Sequence, residues 1–159
     1  MTTHPDVDKV AFTGSTEVKV VGSTVANYDH PQYPELEDFG EVLLHGDRAT
    51  GYVRIDWFTP DGLPTWGDGR LFILGTEGYI ELRKYCDIAG RPGGDHLFLV
   101  DREGVNYIDC QEVELPYGRQ LIDDVINRTD TAVPQEHCFL ASELALQAQA
   151  QAERLGNLR

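Results

Sequence analysis

The stretch that decides the fold is Arg70–Asp109, RLFILGTEGYIELRKYCDIAGRPGGDHLFLVDREGVNYID. It contains four short runs of aliphatic and aromatic residues, and glycine-containing segments separate each run from the next. The connections are too short for a crossover helix, so neighbouring strands must be antiparallel. The stretch therefore predicts a β-meander with strands at Arg70–Leu74, Tyr79–Tyr85, His96–Val100 and Val105–Asp109.

The strand pattern extends towards the N-terminus. Glu17–Asn27 is rich in Val and Thr, and Phe39–Leu44 and Thr50–Trp57 flank a turn at His45–Arg48 that suits a hairpin. A short β-like run also occurs at Val10–Phe12. The sequence therefore predicts a sheet of at least six strands before any helix.

Helical spacing begins after Pro116. Apolar residues then recur three and four positions apart, which predicts a helix over 117–128. A second helix is predicted from Gln135 to Leu155, because Pro134 suits a helix start and Gly156 suits a helix stop. The apolar positions of the first helix are Leu121, Ile122, Val125 and Ile126.

This order of elements predicts an α+β fold, namely an open-faced, mainly antiparallel β-sheet with helices packed on one face. Two short helices can cover only one face, so the other must meet solvent or another subunit. We expect this face to form a homo-oligomer such as a dimer. A monomer with a solvated face is the alternative. The expected contributors to the uncovered face are Phe72, Tyr79, Leu82, Phe98 and Tyr107.

Composition excludes several classes of protein. The chain has 159 residues with 13 Lys and Arg against 27 Asp and Glu, a net charge of −14 that disfavours nucleic acid as a partner. No apolar run reaches the ~20 residues that span a bilayer, so no membrane association is expected. The start lacks a secretory signal pattern, and three cysteines without CxxC spacing indicate a reduced, cytoplasmic protein.

One group of polar residues lies in the proline-rich loop between the first two predicted strands. His30 is a candidate catalytic base there, and the surrounding carboxylates would suit a hard cation such as Ca²⁺ or Mg²⁺. A solvated acidic loop is the competing interpretation. The candidate metal ligands are Asp29, Glu35, Glu37 and Asp38.

A second group lies around the two glycine-rich loops. Trp66 offers a flat apolar face that could stack on a sugar ring, and nearby carboxylates could accept hydrogen bonds from hydroxyl groups. Asp95 and His96 are further candidates for catalysis. Loop capping by Asp and packing by Trp would explain the same residues without a ligand. The candidate substrate-binding residues are Asp56, Trp66, Asp68 and Arg70.

Most of the chain, from about Val25 to Arg154, resembles a known family. The stretches that carry the resemblance are ANYDHPQYPELEDFGEVLL, GYVRIDWFTPDGLPTWGDGRLFILGTEGYIELRKY and PYGRQLIDDVINRTDTAVPQEHCFLASELALQAQAQAE. They are similar to the C-terminal domain of the glucose-fructose oxidoreductase / inositol dehydrogenase / MocA family. This resemblance implies an open-faced sheet whose bare face builds oligomers and whose loops close over a sugar or cyclic polyol.

The family's dinucleotide-binding features have no counterpart in this sequence. The GxGxxG turn, the Glu-Lys-Pro motif and the Asp-x-x-x-His pattern of the family are all missing. The sequence therefore offers no glycine-rich turn and helix N-terminus to bind the pyrophosphate of a dinucleotide, and NAD(P) is not expected as a cofactor.

The N-terminus resembles a different family. Residues His4–Val18, HPDVDKVAFTGSTEV, are similar to a cofactor-domain motif of aldehyde dehydrogenases, but Lys19 stands where that family has Gly. We therefore expect residues 1–18 to be an extension produced by fusion or rearrangement, and residues 19–159 to form a single domain.

Three functions remain open at this stage. The chain could be an oligomerising module that binds a small cyclic polyol or lactone without catalysis. It could be a small hydrolase of lactones or esters, with His30 or the Asp95–His96 pair supplying the base and a divalent metal assisting. It could also be a half-enzyme that needs a separate NAD(P)-binding partner.

Overall fold

The computed structural model describes residues 18–156. In chain order the elements are β1 (Lys19–Ala26), β2 (Phe39–His45), β3 (Thr50–Asp56), β4 (Arg70–Leu74), β5 (Tyr79–Arg83), β6 (His96–Val100), β7 (Val105–Asp109), α1 (Tyr117–Asn127), α2 (Gln135–Gln151) and β8 (Glu153–Arg154). The predicted α+β class is confirmed. Neither of the two described helices combines the length and the apolarity that a membrane-crossing helix needs.

The described chain divides into two compact units. The first comprises residues 59–114 and carries β4 to β7, and the second comprises residues 18–58 and 115–156 with the remaining elements. Residues 1–17, which hold the predicted run Val10–Phe12 and nearly all of the predicted extension, lie outside the described residues. The assignment of 19–159 to a single domain stays a prediction.

The unit of residues 59–114 is the predicted meander. Its strands pair antiparallel in the order β4-β5-β6-β7, and the turn after β4 closes with a 2.9 Å hydrogen bond from Gly75 N–H to the Gly78 carbonyl. Only glycine fits at Gly78, because a Cβ there would collide with the carbonyl oxygen of Val100. The strand β5 ends at Arg83 rather than at the predicted Tyr85.

The second unit contains a sheet with the strand order β3-β2-β1-β8. The three long strands are antiparallel, and the hairpin turn between β2 and β3 is closed by a 2.8 Å hydrogen bond from Gly46 N–H to Ala49 O. The sequence predicts one sheet, and the structure instead contains two four-stranded sheets. Strand β3 does not pair with β4, and the segment between them contains Pro60 and Pro64.

Helix α2 ends four residues before the predicted end. Ala152 adopts an extended conformation, and Glu153–Arg154 then pairs parallel to β1. The Leu155 N–H donates to the Val25 carbonyl at 2.9 Å. Because of this strand pairing, the helix ends at Gln151 and does not reach Gly156. On the helix itself, the carbonyl of Ala148 accepts a 2.7 Å hydrogen bond from Ser23 Oγ, which fixes α2 against β1.

The side chains of the β4–β7 sheet point to two faces, and one face also carries the charged row Arg70, Arg83, His96 and Asp109. The register places Phe72, Glu81, Phe98 and Tyr107 in one row, with Leu74, Tyr79, Val100 and Val105 in the next row of the same face. The opposite face carries the row Leu71, Leu82, Leu97 and Ile108. Leu82 therefore does not share a face with the other predicted contributors, because successive residues of a strand point to opposite sides.

Few apolar side chains are buried in the described part of the chain. The buried ones are Ala26, Phe39, Cys86 and Ala148. The predicted apolar stripe of α1 does form, but its residues Leu121, Ile122, Val125 and Ile126 are all exposed. The structure of residues 18–156 thus leaves a large part of its apolar surface without cover.

One buried carboxylate holds the end of α1. Asp124 accepts hydrogen bonds from the Thr129 hydroxyl at 2.6 Å, from the N–H and the hydroxyl of Thr131, and from the Ala132 N–H at 2.8 Å. The bond from Thr129, together with those from Ala132 and Thr131, holds the pKa of Asp124 well below its ordinary value.

We predict that Asp124→Asn lowers the melting temperature by several degrees at pH 7. The ionised form is favoured in the folded state, so its stabilising contribution is present above the ordinary Asp pKa of about 3.9 and is lost as the pH falls below it. The difference in melting temperature between the two proteins should therefore begin to shrink below about pH 4 and should close only well below pH 3, because the folded carboxyl stays ionised until then. The exposed neighbour provides the control, since Asp123→Asn should melt like the wild type at pH 7. A difference between wild type and Asp124→Asn that stays constant from pH 7 down to about pH 2 would contradict the assignment.

Candidate functional site

Charged residues gather at one end of the β4–β7 sheet. Register places Arg70, Arg83, His96 and Asp109 in one row across the four strands. Arg70 Nε donates to Asp68 at 2.8 Å, and Arg83 Nε donates to Glu81 at 2.7 Å. The predicted binding residues Asp68 and Arg70 are thus brought together with His96, and Arg83 joins them although the sequence analysis did not name it.

The Asp68 carboxylate is held ionised by this arrangement. The hydrogen bond from Arg70 outweighs the effect of burial, so the pKa of Asp68 lies below its ordinary value. Within the described residues, the buried atoms Asp68 Oδ1 and Arg83 Nη1 have no hydrogen-bond partner. An acceptor and a donor thus remain unsatisfied in one charged cluster, which is an unusual arrangement in a folded protein.

His96 is completely buried and both of its ring nitrogens have partners. Nε2 lies 3.1 Å from the Gly93 carbonyl oxygen, and Nδ1 lies 2.7 Å from the Tyr107 hydroxyl. A carbonyl can only accept, so in the neutral ring Nε2 donates to Gly93 and Nδ1 accepts from Tyr107. This geometry suits a histidine that fixes the preceding loop to the sheet, and it leaves no nitrogen available to a substrate.

The loop before His96 is held by Arg91. Its guanidinium lies 4.8 Å from the ring centre of Tyr107 and 5.4 Å from that of Phe98, distances typical of cation–π contacts. It also donates to Asp87 at 2.7 Å, and this bond, with one from the Ala89 amide, lowers the pKa of Asp87. The sequence analysis missed Arg91 because its partners lie on strands that only the register brings beneath the loop.

His30 and Asp38 form a pair in the second unit. His30 Nδ1 lies 2.9 Å from Asp38 Oδ2, and the carboxylate also accepts from the N–H groups of Tyr28 and Asp29 at 2.8 Å each. Asp38 is fully buried, whereas the His30 side chain is 30% exposed. An ionised Asp38 fixes the tautomer with the proton on Nδ1, which is the orientation in which a histidine can act as a base through Nε2.

The environment of Asp38 favours its ionised form. Burial opposes ionisation, but the hydrogen bonds from His30, Tyr28 and Asp29 outweigh it and lower the pKa of Asp38. The carboxylate therefore remains a strong acceptor for the imidazole at neutral pH.

The predicted metal ligands do not form a metal-binding cluster. Both Asp38 oxygens are engaged by the groups just described, and Glu37 accepts from Arg154 at 2.6 Å and from Gln149 at 2.9 Å. Across residues 18–156, no three His, Cys, Asp or Glu side chains lie close enough to hold one ion together. The geometry therefore gives no support to a set made of Asp29, Glu35, Glu37 and Asp38, and metal binding stays a prediction.

The remaining predicted residues are distributed over both units. Trp66 is 86% exposed in the unit of residues 59–114. Asp56 belongs to the other unit, where it accepts from Arg54 Nε at 2.8 Å. Asp95 has a positive φ of 56°, and its backbone bonds to Lys84 and Cys110 at 2.9 Å each. Asp95 therefore serves as a backbone link between the loop and the strands, while its catalytic role stays a prediction.

We predict that His96→Leu lowers the free energy of unfolding by about 2 kcal/mol, because the buried imidazole loses its two hydrogen bonds, to the Tyr107 hydroxyl and to the Gly93 carbonyl. Urea unfolding followed by circular dichroism measures this loss. The control is His45→Leu, which removes an exposed imidazole and should cost less. A His96→Leu protein as stable as the wild type would show that the hydrogen bonds of His96 are not structural.

The solved structures to which this chain is similar include two described as putative oxidoreductases. A "putative oxidoreductase" from Erwinia carotovora atroseptica SCRI1043 is 49% identical over 91% of this chain, with a TM-score of 0.86. A "putative oxidoreductase" from Thermotoga maritima is 22% identical over 86% of this chain, with a TM-score of 0.70, and shows a likeness in fold alone. This chain spans 44% and 38% of their respective lengths. No protein-family model and no curated protein matches. The chain is therefore an oxidoreductase-like domain that corresponds to less than half of its structural relatives.

Proposed function

We propose that this chain is the self-associating, substrate-side part of a sugar or polyol oxidoreductase, and that it holds no dinucleotide of its own. The single observation that carries the proposal is the 49% identity to part of an oxidoreductase. The apolar sheet surface that is left exposed supports the self-association. The part that it most resembles in sequence is the C-terminal domain of the glucose-fructose oxidoreductase / inositol dehydrogenase / MocA family.

Self-association is supported by the exposed row of the β4–β7 sheet. Leu74 is 80% exposed and Val105 is 75% exposed, and Tyr79 and Phe72 of the same face are also exposed. The row Leu74, Tyr79, Val100 and Val105 contains no charged residue. An uncharged apolar surface of this kind is more stable against an identical surface than against water, because association removes it from solvent.

Binding of a polyol is supported by the charged end of the same sheet. Hydroxyl groups both donate and accept, and the cluster of Asp68, Arg70, Glu81 and Arg83 offers both kinds of partner. Trp66 lies two residues before Asp68 and exposes its ring to solvent. A cyclic polyol or a lactone is thus the class of ligand that we propose for this end.

A change of two exposed residues tests self-association. The wild-type chain, of 17.8 kDa per copy, should have at least twice that mass in solution by light scattering. The double variant Leu74→Glu and Val105→Glu should have the mass of one copy, since two carboxylates would face their own copies across the interface. Both residues are exposed, so neither change should affect folding.

Leu146→Glu on helix α2 is the matched control and should leave the assembly intact. Titration with NAD and NADP completes the test, because the proposal requires no saturable binding of either. A wild-type chain that stays a monomer at high concentration, or one that binds NAD tightly, would contradict the proposed function.

A lactone or ester hydrolase is the second candidate, favoured by the His30–Asp38 pair. In this mechanism His30 Nε2 would take a proton from water, the resulting hydroxide would attack the carbonyl carbon, and the ring oxygen would leave with that proton. Purified chain should then open a sugar lactone, and His30→Gln should abolish turnover without changing the fold. Absence of turnover in the wild-type chain would reject this candidate and leave the first one unaffected.

A further inference from the structure

Both compact units of the described chain carry a large excess of negative charge. With His counted as neutral, residues 59–114 contain 11 Asp and Glu against 5 Lys and Arg, a net charge of −6. Residues 18–58 and 115–156 contain 13 against 6, a net charge of −7. The complete chain carries −14, whereas a magnitude of about 2–8 is enough to keep a small domain in solution. The excess therefore belongs to each unit by itself.

Ion pairs neutralise only a part of this excess. Six arginines each bind one carboxylate in the described structure, namely Arg54 with Asp56, Arg70 with Asp68, Arg83 with Glu81, Arg91 with Asp87, Arg102 with Glu77 and Arg154 with Glu37. Eighteen carboxylates of residues 18–156 lie outside these pairs, against five further Lys and Arg. Even with one carboxylate assigned to each of those five, 13 would remain in excess.

Many of the carboxylates outside these pairs lie on the surface, where dissolved salt screens them. Glu35, Glu103, Glu112 and Asp130 are all exposed to solvent. The screening length in water is about 10 Å at 0.1 M salt and about 3 Å at 1 M. Neighbouring strands are about 4.8 Å apart, so at low salt the repulsion extends over several strands or helical turns. At molar salt it is confined to direct neighbours.

Apolar burial opposes this repulsion only weakly. The buried apolar side chains of the described residues are Ala26, Phe39, Cys86 and Ala148, and three of these four are small. Unfolding moves like charges apart, so a net charge far from zero favours the unfolded chain. Because the stability of any folded domain is a small difference between large terms, a fold with so small a core has little reserve against this effect.

From the charge and the small core together we infer that the folded state of this chain requires high ionic strength. Salt acts through the screening of carboxylates over both units rather than through one bound cation, so Na⁺ and K⁺ serve alike. Salt also weakens the six ion pairs, but exposed pairs contribute little to stability, and the carboxylates in excess outnumber the pairs. The inference goes beyond the proposed function, since it concerns the fold of a single copy.

Thermal unfolding at different salt concentrations measures this dependence. The melting temperature at pH 7, followed by circular dichroism, should rise by about 10 °C or more between 0.05 M and 2 M KCl, and by the same amount in NaCl. The double variant Leu74→Glu and Val105→Glu should show the same rise. This comparison separates the stability of the fold from self-association, which the double variant is designed to remove.

A pair of fourfold variants tests whether charge is the cause. The changes Glu35→Gln, Glu103→Gln, Glu112→Gln and Asp130→Asn together remove four negative charges, two from each unit. This variant should melt several degrees above the wild type at 0.05 M KCl, and the two should melt within about 1 °C of each other at 2 M. The matched control keeps every charge through Glu35→Asp, Glu103→Asp, Glu112→Asp and Asp130→Glu, and it should retain the salt dependence of the wild type.

Four results would overturn the inference. The first is a wild-type melting temperature that stays constant or falls as KCl is added. The second is an equal salt dependence in the wild type and the neutralised variant, which would assign the effect to apolar surface. The third is a rise that saturates at millimolar concentrations of one cation, which would indicate a bound ion. The fourth is a rise that the double variant lacks, which would assign it to assembly. None of these results bears on the proposed function, which is tested by the mass in solution and by the titration with NAD and NADP.

Discussion

The constraint on which this structure depends is a shortage of internal apolar cover. A β-sheet with two apolar faces requires something on each side, and the residues that the structure describes bury few large apolar side chains. Backbone pairing and turn closure give each sheet its register, yet a two-sided sheet gains much of its stability only when both faces leave water. Apolar side chains stay exposed at three places in the described chain, namely Leu74 and Val105 on the β4–β7 sheet, Val53 and Ile55 on β3, and the stripe of α1.

Hydrogen-bonded polar groups hold several loops in place where a larger apolar core would otherwise do so. Asp124 holds the chain after α1, Asp38 holds the loop before β2, and His96 with Tyr107 holds the loop before β6. In each case one buried polar group meets several donors or acceptors from a short segment, so the loop has a defined conformation without apolar packing.

The same feature makes function difficult to assign from residue type alone. Both ring nitrogens of His96 have partners within the fold, whereas His30 has a buried carboxylate on one nitrogen and is partly exposed to solvent. A catalytic role stays a prediction for both histidines.

Much of the fold could be predicted because its signals are local. Strand bounds in the meander follow from glycine turns, and β4, β6 and β7 have the predicted limits. The end of α2 could not be predicted, because Ala152 stops the helix to let Glu153–Arg154 pair with a strand more than a hundred residues earlier. The division into two sheets and the placement of Leu82 likewise depend on pairing and register. The His30–Asp38 pair was within reach of the sequence because its members are eight residues apart, but the row of Arg70, Arg83 and His96 emerges only when three strands are aligned.

Charge limits where this chain can meet a copy of itself. A chain with a net charge of −14 repels its own copies, so self-association is most favourable where the contact area itself carries no carboxylate. The row Leu74, Tyr79, Val100 and Val105 meets this condition, and the neighbouring Glu81 is already neutralised by Arg83. Identical surfaces can therefore pair at this row of the β4–β7 sheet without bringing unpaired carboxylates together.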